Sequence, residues 1–220
     1  MKMPLSKAVT AVSVLLCFMH AAFAATGDEI GVELVKAIEQ EFSQPHFNEE
    51  GAEKFARKFG IEAVPSLLNL LQSEDVKIPK GKVAVYLGKV GDRRAIAPLK
   101  KFVECSLQQE ISTSRYLDLC FALHALAFIG TDECLSYLRQ GIRYEFWHAL
   151  NDAFTVPELR LDHESAVQAM REASLRAYAT SGKESVLNDL TANRSDFDTF
   201  ENVYPEALQK VRDRVSRDGR

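Results

Sequence analysis

The sequence predicts an all-α protein, and three observations predict it. From residue 28 onward apolar residues recur at every third or fourth position, the period of an amphipathic helix, and no convincing alternating strand occurs. Only 7 Pro and 11 Gly in 220 residues leave little room for an all-β chain dense in turns. Finally, one pattern recurs along the chain, an apolar helix, a turn glycine and a second apolar helix, so the helices are expected in pairs. A content of 46% hydrophobic and 26% charged residues excludes wholesale disorder, and a formal charge of −4 gives no general basis for binding nucleic acid or an anionic membrane.

The first element, residues 1–24, reads as a cleaved signal peptide. Lys2 and Lys7 form a basic start, Ala8 to Met19 an apolar run, and Ala22-Phe23-Ala24 the small-x-small cleavage pattern, which puts the new N-terminus at Ala25. The run is shorter than the ~20 residues a spanning helix needs, and no second one follows, so no membrane span is expected after cleavage. Leu16 before Cys17 is too bulky for a lipid-attachment site. Losing Lys2 and Lys7 takes the formal charge from −4 to −6. The product is expected to be exported, periplasmic or secreted. Of 4 cysteines, Cys105, Cys120 and Cys134 then remain; an odd count in an oxidising compartment leaves at least one thiol free or in an intermolecular bond.

Residues 25–45 are expected to form an N-terminal cap helix, because Ile30, Leu34, Ile38 and Phe42 make one stripe while Glu33, Lys36, Glu39 and Gln40 face away. The array proper spans residues 46–192. Shifting Lys82–Leu99 by 39 positions puts Leu126 on Leu87, Ala127 on Gly88, Gly130 on Gly91, Leu135 on Ile96 and Leu138 on Leu99. A weaker copy starts at Phe59-Gly60 and another carries Ala179, Gly182, Leu187 and Leu190. The glycine has a physical reason, since a helix that ends in a tight reversal needs a residue at positive φ without a Cβ penalty. Ala84, Gly88, Ala122 and Ala127 are small enough for close helix approach. The last copy is displaced by an insertion around 141–163 that holds the one Trp. Residues 193–220 are expected to be a C-terminal cap helix, with Pro205 early in it and a frayed charged tail from Asp213.

Ala84-Val85-Tyr86-Leu87-Gly88-Lys89-Val90-Gly91-Asp92-Arg93-Arg94-Ala95-Ile96-Ala97-Pro98-Leu99 resembles a HEAT repeat, of the HEAT-like type known from phycobilisome lyases. The resemblance implies an α-solenoid of about four stacked HEAT-like helix pairs with N- and C-terminal capping helices. It places the Ala-x-x-Leu-Gly helices on a concave face and the Pro-Leu helices outside. It also implies binding rather than catalysis; the lyase activity does not carry over, because the matching residues are structural ones. A unit this small cannot bury its own apolar face, so neighbours must stack.

Candidate chemistry is sparse, and no cofactor is expected. Cys120 and His124 lie four apart with Cys134 in the next helix, but the stripe Tyr116, Cys120, Leu123 and Ala127 reads as packing, and Cys134 occupies the position of the core residue Ala95. His148, Asp152 and His163 can be drawn together as a hydrolytic or metal set without any motif that fixes their geometry. Asp162 before His163-Glu164-Ser165 reads more simply as a helix N-cap. Lys80, Lys82, Lys89, Arg93 and Arg94 form a local basic run, read as solvated surface or as a site for an acidic peptide. In the insertion, Tyr144, Trp147, Leu150 and Phe154 read as a stripe docking on the array, which leaves Phe146 and His148 as the partner-facing residues.

The expectation is a non-catalytic scaffold that binds a protein or peptide of acidic character in its concave groove. The positions two before the repeat leucines, Val85 and His124, should look into that groove, and Lys82, Lys89 and Phe128 should share the surface. The rival expectations are a lyase or hydrolase built on the array, and an envelope structural or oligomerising module.

Overall fold

The computed structural model describes residues 33–34, 36–37, 49–73, 79–108 and 110–218. Residues 1–24, expected to be a signal peptide, and most of residues 25–45, expected to be a cap helix, lie outside the described residues. Ten helices carry the rest: α1 (Glu49–Phe59), α2 (Val64–Gln72), α3 (Lys80–Val90), α4 (Ile96–Ser106), α5 (Thr113–Ile129), α6 (Asp132–Gly141), α7 (Tyr144–Leu150), α8 (His163–Thr180), α9 (Glu184–Ala192) and α10 (Val203–Asp218). Among the described residues no strand forms; two isolated bridges, Glu110 with Thr155 and Val156 with Leu161, are the only extended pairings.

Local chemistry sets the helix ends. Ser112 caps α5 by accepting from the Arg115 N–H at 3.2 Å, Thr131 caps α6 through the Cys134 N–H at 3.3 Å, and Asp162 caps α8 through the Ser165 N–H at 2.9 Å. The glycines of the four sequence copies, Gly60, Gly91, Gly130 and Gly182, all sit at positive φ, at 52°, 75°, 62° and 67°. Gly91 and Gly130 end α3 and α5 by donating their N–H to Leu87 O and Leu126 O. α10 carries the charged C-terminal stretch as helix as far as Asp218.

The helices pack in chain order. α1 packs on α3, α3 on α5, α5 on α8 and α8 on α10, while α2, α4, α6 and α9 pack on α3, α5, α8 and α10 respectively. The α3–α5 contact is the most extensive, and its small residues explain it: a Cβ placed on Gly88 would lie 2.6 Å from the Ala125 Cα. Ala84 and Ala122 are fully buried, as their size suggests. A single apolar core runs through the molecule from Leu34 to Val211.

The segment 141–163 is tied to the neighbouring helices rather than hanging from them. Trp147 is fully buried, and its indole N–H donates to Gly141 O at 2.6 Å. Phe154 is fully buried too. The loop after α7 reaches back to the linker between α4 and α5: Asn151 Nδ2 donates to Leu107 O at 3.0 Å, the Ile111 N–H to Thr155 O at 3.0 Å and the Thr113 N–H to Glu158 Oε2 at 2.9 Å.

Candidate functional site

The richest surface lies across the helices that pack in chain order. On α5, Tyr116, Cys120, His124 and Phe128 follow one another at intervals of four and are all half-buried, so they share a stripe. Lys89 of α3 places its Nζ 4.0 Å from the Phe128 ring centroid and 3.1 Å from Glu53 Oε1 of α1. That ammonium holds the Glu53 carboxyl below its ordinary range. At the other end of the stripe, Tyr116 lies within the electrostatic reach of Glu172 and Arg176 on α8, and Arg176 bridges to Glu206 of α10 at 2.5 Å. One polar and aromatic strip therefore crosses α1, α3, α5, α8 and α10.

Burial tunes the middle of the strip. The Cys120 thiol is pushed up to about 11, chiefly by burial, with the Tyr116 hydrogen bond acting the other way. Burial first, and then the neighbouring Cys120, raises the Tyr116 hydroxyl above its ordinary value. Both groups are consequently neutral and unreactive at physiological pH.

Lys82, Lys89, His124 and Phe128 occupy half-buried positions on α3 and α5, and Lys89 and Phe128 touch each other. Val85 does not look into a groove. It is 2% exposed, because the close approach of α3 to α5 closes over the face that carries it. Phe146 is half-buried and packs edge-on against Tyr137 at 5.2 Å and Trp147 at 5.0 Å. His148 is exposed.

The basic run proves to be several separate roles. Lys80 is buried and donates to Leu70 O at 2.5 Å and Ser73 O at 2.6 Å, satisfying carbonyls at the end of α2. Arg94 folds onto Asp92, and Lys89 is engaged with Glu53, which leaves Arg93 as an exposed member. Among the described residues the Cys120, His124 and Cys134 set does not assemble: Cys134 is buried beside Thr131, whose hydroxyl donates to Sγ at 3.2 Å, and Cys105, Cys120 and Cys134 are free thiols. Burial raises the Cys134 thiol as well.

His148 and His163 do come together, with His148 Nδ1 3.2 Å from His163 Nε2; no described contact joins Asp152 to them. Sequence reasoning missed Glu53, Glu172, Arg176 and Glu206. Tyr116 and Cys120 read from the sequence as a packing stripe, and nothing in the sequence registers α1, α8 and α10 against α5.

Comparison with protein-family models, with curated proteins and with solved structures finds no match. Among the described residues no helix is long and apolar enough to cross a membrane.

Proposed function

We propose that the chain is a non-catalytic, exported scaffold whose α1–α3–α5–α8–α10 face binds a segment of another protein. The observation that carries this reading is the row of half-buried side chains Phe128, His124 and Tyr116 on α5, with the Glu53–Lys89 pair against Phe128 at one end and the Arg176–Glu206 pair on the helices beyond the other. A stack of helix pairs in the manner of HEAT-like repeats accounts for both that packing order and the four left-handed glycines. Half-buried aromatic rings beside charged groups suit a peptide with an apolar anchor and polar neighbours better than a small polar substrate. Lys89 and Arg176 already have acidic partners in the chain, so an acidic peptide binds by exchanging with Glu53 and Glu206 rather than by filling an unpaired basic patch.

Changing Lys82, Lys89 and Phe128 together to Ala tests the reading, with capture of partner from envelope extract measured beside thermal stability. Retained folding with lost capture supports the face. Retained folding with unchanged capture places the partner elsewhere.

A further inference from the structure

A pair of histidines at the root of the insertion is hydrogen-bonded ring to ring, at a distance that two ligands of one cation also keep. His163 opens α8 just after the Asp162 cap, and its Nδ1 lies 3.2 Å from the Phe154 carbonyl oxygen. A carbonyl can only accept, so Nδ1 carries the proton and the neutral ring presents its Nε2 lone pair. That Nε2 faces Nδ1 of His148 at 3.2 Å. Two imidazole nitrogens bound to one tetrahedral Zn²⁺, each at ~2.0–2.1 Å, stand about 3.3 Å apart. The two donors are already at the spacing a shared cation needs.

The surroundings hold them there. A histidine ligand ordinarily gives its other N–H to a backbone carbonyl or carboxylate, which fixes tautomer and ring direction, and the Phe154 carbonyl serves His163 in that way. Phe154 is itself fully buried, and its ring meets the His163 ring edge-on at 5.5 Å. Tyr144 stacks on His148 with ring centroids 5.5 Å apart and planes at 22°. Tyr144 is held in turn by its hydroxyl, which donates to Glu164 Oε1 at 3.3 Å.

We infer that His148 Nδ1 and His163 Nε2 together bind a divalent transition cation of the Zn²⁺ type, with water completing its coordination. Among the described residues no group of three or more His, Cys, Asp and Glu side chains converges, so the site has two protein ligands and an open remainder. Loading turns each ring by roughly 35° to aim its lone pair at a common point. It also moves one proton: His148 loses the hydrogen from Nδ1 and takes one from water on Nε2, so the neutral ring changes tautomer without net proton release. Imidazole nitrogen suits Zn²⁺, Cu²⁺ and Ni²⁺, whereas hard cations such as Mg²⁺ and Ca²⁺, which favour oxygen over imidazole nitrogen, gain little from this pair.

The experiment uses the full chain carrying Cys105→Ser, which removes the exposed thiol as a competing ligand. Zinc chloride is titrated by calorimetry, and long-range ¹H–¹⁵N spectra of the imidazoles are recorded at saturation. The expected result is one zinc per chain, a shift of His148 Nδ1 and His163 Nε2 to metal-bound values, and a loss of affinity of at least about tenfold in both His148→Ala and His163→Ala. Unmoved ring nitrogens in the unsubstituted pair, or an affinity unchanged in both variants from that of the unsubstituted pair, overturns the site. The spectra decide the matter even where a variant fails to fold.

Discussion

Gly88 meets the backbone of Ala125: a Cβ at Gly88 would lie 2.6 Å from the Ala125 Cα and 2.8 Å from its carbonyl oxygen. Neither atom can swing aside, so any larger residue forces α3 and α5 apart. Gly88→Ala gains up to ~1 kcal/mol of helix propensity, but overpacking a tight core costs typically about 1–3 kcal/mol. The expected outcome is a lower melting temperature for Gly88→Ala. An unchanged or raised one contradicts the close approach.

Gly91 offers the complementary case. At φ 75° it has nothing within 4 Å of a Cβ, so a substitution there meets conformational strain alone. Gly91→Val is expected to lose at least ~1 kcal/mol in denaturant unfolding, because a β-branched residue is disfavoured at positive φ. No loss means that the turn is built in some other way.

The four turn glycines were legible in the sequence because only glycine enters the left-handed region freely, which ties a residue type directly to a geometry. The Asp162 cap and the docking of Trp147 were legible for the same reason, each depending on nearby residues. Val85 was misjudged because its position relative to Leu87 gives the helix face but not the distance to the next helix. That distance is set by Gly88 and Ala125, 37 residues apart in the chain. His148 and His163 could be named together from the sequence, but not their geometry, which depends on the loop after α7 returning to place the Phe154 carbonyl at His163.

Asp118 couples stability to pH. Its carboxylate accepts the Gly81 N–H at 2.7 Å, yet burial outweighs that bond and the nearby Arg115 and Lys80, so its folded pKa is raised. Ionisation therefore costs the folded state more than the unfolded one. Its stability contribution falls as pH rises from the ordinary carboxylate range through the raised value, and stays lower above it. Asp118→Asn keeps an acceptor for Gly81 and cannot ionise. It is expected to raise the melting temperature at neutral pH and to leave it unchanged near about pH 3, where the carboxyl is protonated in both states. A lower melting temperature at neutral pH shows that the pairing with Arg115 and Lys80 wins.

The central claim is that the strip across α1, α3, α5, α8 and α10 is where a protein partner lies. A photo-reactive benzoylphenylalanine at position 124, in the middle of the strip, tests this most directly against the same residue at the exposed position 101 on α4. Irradiation in envelope extract is predicted to give a discrete protein adduct from position 124 and none from position 101. An adduct from position 101 with none from position 124 contradicts the account.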